Sequence, residues 1–385
     1  RQALLAKYPI LVVDEYQDLG VALHRMVMGL CFRAGMRLFA VGDVDQSIYG
    51  FTGARPELLR RLSDREDVET VRLRLNYRSG SRIVTAAGVA LGEERDYEAA
   101  DAAAQGTVFI HPLGGAYEQQ ATRLVRELLP DALARHPRLH YRDVAVVYPA
   151  AWIGDAVAGA AQAAGIPIVR TDGNALYPRS SRLMQWLELC GQWCCGGWRT
   201  GSPRFVRIVK EGRRLFAEAL HNDERLVDFH RRLIAVLWDR RDAGLRLHRW
   251  LEALQAEVIE RFAPECVALR DEMETLATFA ARVAPAGDRA DMALGELASD
   301  GRHLDRLTLS TLHSAKGREF GVVFMFGMDV GRLPRNGAGR QQLAEARRLF
   351  YVGFTRAKAE VHLVHTTRRA SPFVDEIEHH LAEEL

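Results

Sequence analysis

Two adjacent carboxylates, Asp14 and Glu15, directly follow a short apolar run in the segment PILVVDEYQDLG. An acidic residue at the end of a strand can hold Mg²⁺, and the next acidic residue can orient or deprotonate an attacking water. Alone, an apolar run followed by two acids is not specific, but Gln17 and Asp18 make the pattern more specific. The segment therefore predicts metal-assisted phosphate chemistry at a strand end.

A second segment, AVGDVDQSIYGFTGA, carries polar and aromatic side chains that suit a ligand. A strand ends here in Gly42-Asp43, Gln46 follows, and Tyr49 and Phe51 alternate with glycines. Glycines let a backbone approach a ligand closely, and aromatic side chains on a loop can stack on nucleic-acid bases. The alternative is a turn whose aromatic side chains fold back into the core.

The elements that must position these residues alternate between β-rich runs and amphipathic helices. This order predicts parallel α/β sheets with sites at the carboxyl ends of the strands. The run VETVRLRL at 68–75 predicts a further strand, and the polar, alanine-rich residues 93–106 predict a boundary. From about Leu183 to Arg282 apolar residues recur every three or four positions, which predicts helices only. Strand-like runs return afterwards, so this helical block looks inserted between two halves of one α/β domain.

Composition narrows the class of protein. The chain has 385 residues, 48% of them hydrophobic and 26% charged, which is typical of a globular protein with two or more domains. It contains no apolar run of the roughly 18 residues that a membrane helix needs, and we expect no membrane partner and a cytoplasmic location. Five cysteines at irregular spacing predict reduced thiols rather than a zinc site. The formal net charge of +2 means that any basic surface must be local.

Three more segments complete a resemblance: LNYRSGSRIV at 75–84, LTLSTLHSAKGREFGVVFMFGMDVGRLPR at 307–335, and EARRLFYVGFTRAKAEVHLV at 345–364. With the two segments above, in this order, the chain resembles superfamily 1 DNA helicases of the UvrD/Rep/PcrA group. The resemblance implies a RecA-like P-loop NTPase fold, with parallel sheets flanked by helices and an inserted all-helical subdomain. It also implies an ATP-dependent helicase or translocase that moves 3′ to 5′ on single-stranded DNA, with ATP and Mg²⁺ as cofactors and single-stranded or double-stranded DNA as partner.

The resemblance assigns roles to residues around the nucleotide. Asp14 would hold Mg²⁺, and Glu15 would act as the base for the attacking water. Two arginines would reach the γ-phosphate from across a cleft and stabilise charge on the transferring phosphoryl group; the alternative for each is a surface salt bridge. These arginines are Arg78 and Arg356. Gln46 would sense the γ-phosphate, Tyr77 would stack on the adenine ring, and Glu319 would hydrogen-bond the ribose.

On the DNA side, Tyr49 and Phe51 are the stacking candidates. The resemblance places Thr311 and His313 where the family contacts the backbone of the DNA strand or couples it to ATP, and Lys316 is a further DNA-binding candidate. Without the resemblance, a histidine close to a strand end is more simply a packed histidine. Three positions in two segments depart from the family pattern: FTGA stands where Trp-Arg-Gly-Ala is usual, and an arginine replaces the leucine usual before the glutamate of SAKGREF. The helical insertion is short and lacks the usual Pro-x-Arg-Gly-Ile-Gly segment, so the resemblance does not extend DNA handling to that subdomain.

The sequence contains no phosphate-binding loop. A P-loop needs Gly-Lys-Ser/Thr, whose lysine reaches the β- and γ-phosphates. The four lysines of this chain follow alanine or valine, and none precedes serine or threonine. Because the chain also starts at Arg1, we expect a fragment of a helicase that is inactive alone. The alternative is a non-catalytic DNA-binding or scaffolding relative of the helicases.

Four segments follow from this interpretation: residues 1–95 as the C-terminal half of a first RecA-like motor domain, 106–182 as the first part of a second, 183–300 as the helical insertion subdomain, and 301–385 as the remainder of the second. Half a parallel sheet leaves an unpaired strand edge and exposed apolar surface. We therefore expect the missing N-terminal motor half, or another chain, to cover residues 1–95. Uncovered, these residues should be less stable than 106–385.

Overall fold

The computed structural model describes residues 7–93, 95–100, 105–173, 175, 177–178, 180–299 and 305–383. The chain divides into two compact units. The first unit comprises Arg1–Ile168 and Arg306–Leu385, and the second comprises Val169–Asp305. The second unit is therefore inserted into the sequence of the first.

The first unit is built on parallel strands. In chain order the strands are β1 (Ile10–Val13), β2 (Arg37–Ala40), β3 (Leu75–Asn76), β4 (Glu98–Ala99), β5 (Thr107–Leu113), β6 (Val144–Tyr148), β7 (Ile168–Arg170), β8 (Leu307–Thr311), β9 (Phe320–Phe326) and β10 (Ala357–Thr366). The strands β5 to β10 form one six-stranded sheet in the order β5-β10-β9-β6-β8-β7. Two small parallel pairs, β1 with β2 and β3 with β4, lie outside that sheet.

Helices connect the strands and form the second unit. In chain order they are α1 (Val21–Met28), α2 (Glu57–Ser63), α3 (Ser81–Leu91), α4 (Tyr117–Arg123), α5 (Leu129–Arg135), α6 (Ala151–Ala163), α7 (Arg182–Gln192), α8 (Trp198–Thr200), α9 (Phe205–Leu215), α10 (Asp223–Asp239), α11 (Leu247–Leu254), α12 (Glu260–Phe262), α13 (Arg270–Val283), α14 (Leu294–Ser299), α15 (Arg340–Phe354) and α16 (Pro372–Glu383). Helices α7 to α14 belong to the second unit.

Both faces of the six-stranded sheet are covered. Every residue of β6 and β9 is buried, which is why these strands are continuous apolar runs rather than alternating ones. On one face Val147 and Met325 pack in a core with α3, α15 and α16. On the other face Val146 and Phe324 pack in a core with α4, α5 and α6. A parallel sheet between two helical layers, with an all-helical insertion, confirms the predicted RecA-like fold class.

The pair formed by β1 and β2 is covered on one face. Leu11 and Val13 of β1, with neighbours from β2, pack against a small core around Tyr16. The side chains of Val12 and Phe39 point to the other face and are exposed. This face is therefore an apolar surface within the part of the chain that the structure describes.

The strand predicted over residues 68–75 is wrong for all but its last residue. Only Leu75–Asn76 form β3, because the sole ladder partner that the described residues offer it is the two-residue strand β4. Of the boundary predicted at 93–106, residues 94 and 101–104 lie outside the described residues. The described remainder contains β4, so part of this segment is ordered against the first unit.

The second unit has its own core, which includes the indoles of Trp186 and Trp250. Polar caps begin two of its helices: Asn222 Oδ1 accepts the amide of Arg225 at 2.8 Å at the start of α10, and a serine caps α7. All five cysteines of the chain are free thiols. Among the described residues, no helix is both long enough and apolar enough to span a bilayer.

Candidate functional site

The carboxylates of Asp14 and Glu15 lie at the carboxyl end of β1, beside the carboxyl end of β2. The two strand ends are joined by the amide of Tyr16, which donates to Val41 O at 2.9 Å. Glu15 has a φ of 52°, a left-handed conformation that is uncommon for a residue with a side chain. Such backbone strain is found most often where function requires a fixed side-chain direction. The predicted acidic pair is thus exposed at this sheet edge, with the second acid on a strained turn.

A chain of hydrogen bonds leads from Glu15 to the second predicted segment. Buried Gln17 donates from Nε2 to Glu15 Oε2, and its Oε1 accepts the amide of Asp43 at 3.0 Å. Asp43 Oδ2 in turn accepts Nε2 of Gln46 at 2.7 Å. Burial raises the pKa of Asp43, and the hydrogen bond from Gln46 opposes that increase. Gln46 is therefore oriented by the same network that holds Glu15.

Gln46 meets Arg356, which is predicted for the same site from far along the chain. Arg356 Nη2 lies 3.1 Å from Gln46 Oε1 and 3.1 Å from Thr355 Oγ1, and Nε donates to Val352 O at 2.9 Å. The residue is 1% exposed, and none of the ion pairs between described residues includes it. Burial lowers the pKa of Arg356 to about 10, and the charge of Arg78 adds to the decrease.

Arg78 approaches from the loop after β3. Its Nη2 donates to Glu319 Oε1 at 3.2 Å, and its Nε is buried without a hydrogen-bond partner among the described residues. Lys358 Nζ lies 3.0 Å from the other oxygen of Glu319, so that carboxylate bridges two cations. The hydrogen bond from Lys358 lowers the pKa of Glu319. Tyr77, which is predicted to stack on adenine, directly precedes Arg78 in the chain and is 80% exposed.

The exposed acidic pair consists of carboxylates, which are ligands that Mg²⁺ accepts. This ion keeps several waters and takes one or two carboxylates together with substrate phosphates. Among the described residues there is no group of three or more His, Cys, Asp or Glu side chains that could hold a metal. The pair Asp14 and Glu15 offers the one or two carboxylates that such an ion takes.

Lys316, predicted to contact DNA, lies among the carboxylates. Its Nζ is 2.6 Å from Asp18 Oδ2 and 3.3 Å from Glu15 Oε2, and its side chain is 6% exposed. Burial raises the pKa of Asp18, and the hydrogen bond from Lys316 counteracts this. The lysine thus ties the loop after β8 to the strand end that carries Glu15, and its contact with DNA stays a prediction.

The other predicted DNA residues gather around His313. Phe51 is 71% exposed, and its ring centroid lies 5.8 Å from that of His313 and 6.0 Å from that of Tyr49. Tyr49 also donates from its hydroxyl to His313 O at 3.4 Å. Thr311 Oγ1 hydrogen-bonds Ser314 Oγ at 3.0 Å within the same loop. Burial lowers the pKa of His313, so the imidazole is neutral at physiological pH.

The sequence did not indicate the ion pair between Arg95 and Asp45, the residue that precedes Gln46. Asp45 is buried, and Arg95 donates to both of its oxygens at 2.7 Å. Tyr97 adds a third contact, with its hydroxyl 3.4 Å from Asp45 Oδ2. The pattern GDVDQ, with a second aspartate next to Gln46, was the available signal, but its partners come from the segment predicted as a boundary.

Comparison with known proteins shows what the chain is similar to. Residues 1–67 match the family model described as the UvrD/REP helicase N-terminal domain, and residues 270–368 match that of the UvrD-like helicase C-terminal domain. The ATP-dependent DNA helicase Rep of Escherichia coli is 26% identical over 92% of this chain and 60% of its own length. The ATP-dependent DNA helicase UvrD1 of Mycobacterium tuberculosis is 27% identical over 94% of this chain and 55% of its own length.

A third relative, the ATP-dependent DNA helicase PcrA of Staphylococcus aureus, is 25% identical over 94% of this chain and 56% of its own length. The chain therefore spans between about half and two thirds of the length of these relatives. A solved structure, the C-terminal domain of a possible DNA helicase from a Lactobacillus, covers 80% of this chain and 96% of its own with a TM-score of 0.33 at 13% identity, a likeness too low to carry an argument.

Proposed function

Since the chain belongs to the UvrD/Rep/PcrA-type helicases, we propose that it supplies the later half of the first motor domain, and the second motor domain, of an ATP-dependent DNA helicase or translocase. Opening and closing of the two motor domains on ATP would move the protein 3′ to 5′ along single-stranded DNA. Tyr49, Phe51, Thr311, His313 and Lys316 would form the DNA side.

The observation that carries this proposal is the uncompensated charge of Arg356. A buried guanidinium without a carboxylate partner is costly, because its loss of hydration free energy is far larger than the free energy gained from hydrogen bonds to neutral oxygens. Arg356 has such neutral partners, and the charge of Arg78 lowers its pKa further. The charges of Glu319 and Asp43, which make no ion pair with Arg356, offset part of the decrease in its pKa. An anion placed between the two arginines would remove that cost. A γ-phosphate has the right charge, and it would lie beside Gln46 and across from the acidic pair.

The chain's own residues would then divide the work of phosphoryl transfer. Glu15, held by Gln17, would accept the proton of the attacking water, and Asp14 would hold Mg²⁺, which neutralises phosphate charge when bound. Arg356 and Arg78 would stabilise charge on the transferring group. For Arg78 this requires release from Glu319, which it contacts in this structure, so nucleotide binding would exchange one carboxylate contact for phosphate.

Residues 1–385 alone should hydrolyse ATP negligibly, because they contain no Gly-Lys-Ser/Thr loop. The first experiment is therefore to sequence the gene upstream of the codon for Arg1 and to express the extended protein. An in-frame loop and ATP turnover stimulated by single-stranded DNA are the expected results. In that protein Arg356→Ala should lower kcat by about a thousand-fold or more, while Arg340→Ala, an exposed arginine at the start of α15, should leave it unchanged.

The motor function would be overturned by a start codon with no such loop upstream, or by an extended protein that hydrolyses no ATP with or without DNA. The chain would then be a non-catalytic DNA-binding or scaffolding relative. Strong ATP turnover by residues 1–385 alone would instead refute the role given to the missing loop.

A further inference from the structure

The second unit carries an arginine–tryptophan patch, defined here as Trp198, Trp238, Arg199 and Arg241. Arg241 Cζ lies 3.4 Å from the ring centroid of Trp238 and 4.3 Å from that of Trp198. Arg199 Cζ lies 4.5 Å from the centroid of Trp198. Trp238 is 49% exposed, which is unusual for so large an apolar side chain. Two indoles interleaved with two guanidinium planes thus lie at the surface.

Helix α9, whose exposed face is basic, begins near this patch. Phe205, the first residue of α9, packs on Trp193 with ring centroids 5.4 Å apart, and Trp193 lies 6.3 Å from Trp238. Helix α9 buries one apolar stripe, centred on Ile208. Its exposed stripe carries Arg207, Lys210 and Arg213 in successive turns, and Arg204 stands at its N-cap, all of them exposed.

The charge of this surface is concentrated and unpaired. Residues 198–214 contain six basic residues and one acidic residue, so this short segment is more positive than the whole chain, whose net charge is +2. The one acid, Glu211, pairs with Arg214 at 2.9 Å. No ion pair between described residues involves Arg199, Arg241 or the three basic side chains of the exposed stripe of α9. Some other arginines of the unit, such as Arg232 and Arg261, are engaged by acidic residues.

We propose that the arginine–tryptophan patch and the basic face of α9 form a binding site for a single strand of nucleic acid. Unpaired cations attract the phosphates, and the flat surfaces of indole and guanidinium stack on unpaired bases. A duplex offers phosphates but keeps its bases stacked internally, so it would use only half of the site. An acidic protein would likewise use the cations and leave the indoles without a role. The site shares no residue with those assigned to ATP, and binding to it does not depend on ATP turnover.

The test compares two double variants of residues 1–385 by fluorescence anisotropy with a labelled oligothymidylate of about 20 nucleotides. Arg207→Gln with Lys210→Gln removes two cations from the exposed stripe of α9. The matched control, Arg249→Gln with Arg270→Gln, removes two exposed arginines from α11 and α13 of the same unit, neither of them in an ion pair with a described residue. The slope of log K against log salt should become about 1.4 less negative in the first variant and should not change in the control.

A third variant, Trp238→Ala, tests the stacking. It should weaken oligothymidylate binding about 5- to 150-fold, the range for the loss of one stacked base, and should weaken heparin binding little. Circular dichroism checks that this variant folds, and the α9 variant, whose changes lie on an exposed stripe, tests the site independently of the core.

The proposal would be overturned if the slope of log K against log salt did not change in the α9 variant, or if it changed equally in the control variant. So would a Trp238→Ala variant that binds oligothymidylate as well as the unchanged chain, or an α9 variant that loses affinity only for duplex or only for heparin. Failure of the motor function would look different, because the extended protein would lack ATP turnover while these differences in binding remained.

Discussion

Replacing Lys316 by methionine should loosen the contact between the loop after β8 and the carboxyl end of β1. The lysine is 6% exposed and its Nζ contacts Asp18 at 2.6 Å, while Asp18 is 22% exposed and its Oδ1 is buried without a hydrogen-bond partner among the described residues. Methionine keeps the apolar stem but leaves a half-desolvated carboxylate without its cation. Breaking a fully buried pair costs about 3–5 kcal/mol. Because Asp18 keeps some contact with water, we expect about 2–3 kcal/mol.

Hydrogen exchange followed by mass spectrometry measures this cost locally. The amides of residues 16–19 and 312–316 should exchange roughly 30- to 150-fold faster in the Lys316→Met variant. The matched control is Lys358→Met, since Lys358 makes an ion pair of similar length, 3.0 Å, with Glu319, but both side chains are exposed. Exposed pairs are worth about 0–1 kcal/mol, so exchange near Glu319 should rise less than tenfold.

The pH dependence supplies a second check on the same pair. Burial raises the pKa of Asp18 above its ordinary value, and Lys316 limits that rise. In the methionine variant the pKa should rise further, so the folded state takes up a proton more readily than the unfolded state does. The variant should therefore lose stability as the pH rises through that raised pKa, and its deficit should be larger at neutral pH than near pH 4.

A double-mutant cycle decides whether the pair or the side chains matter. Asp18→Asn with Lys316→Met should be less destabilised than the sum of the single variants by about 1.5 kcal/mol or more. Additive single effects, or exchange in Lys316→Met that matches the unchanged chain, would refute the reasoning.

Three further outcomes are expected in the first unit. Glu360→Gln should lower the free energy of unfolding by about 1–3 kcal/mol at neutral pH. Burial raises the pKa of Glu360, but hydrogen bonds from Arg135 and a histidine outweigh burial and lower the pKa from 4.5 to about 2. In urea unfolding, the parent should therefore lose stability as the pH falls from 4.5 to 2, and the variant should not show this loss. His111→Asn should flatten the fall in stability between pH 6.5 and 4 by about 1–3 kcal/mol in the same assay, since burial, with the charge of a neighbouring histidine, lowers the pKa of His111 to about 4. Arg95→Ala should lower the free energy of unfolding by about 3–5 kcal/mol in thermal unfolding, because buried Asp45 loses both hydrogen bonds from the guanidinium of Arg95. Arg95→Lys should recover only part of that loss.

The parallel sheet could be predicted from sequence because its strands are short apolar runs that end in polar residues. β6 and β9 are buried along their whole length, and such runs have few alternatives to a covered strand. The failure at residues 68–75 has the opposite cause. Alternating apolar residues favour a strand only where a neighbour satisfies its backbone, and the described residues give that run only two partner residues.

The residues of the candidate site could be proposed from the sequence, but the contacts between them could not. The resemblance assigned roles to Glu15, Gln46 and Lys316, yet the ion pair of Lys316 with Glu15 and Asp18 joins positions about three hundred residues apart. No periodicity carries such pairs, since they depend on how loops from different strands meet. The pair of Asp45 and Arg95 is hidden for the same reason.

Two buried charges close together in sequence differ in how the fold compensates them. Glu360 is 3% exposed, and its carboxylate is bound by Arg135, His136 and His362, so its charge is neutralised within the fold. Arg356 is buried just as deeply, four residues earlier, but its guanidinium meets only neutral oxygens among its hydrogen-bond partners. A fold that can build the first arrangement has no structural need for the second. We infer that an anion binds and leaves beside Arg356, as nucleotide hydrolysis would require of a residue that faces the terminal phosphate.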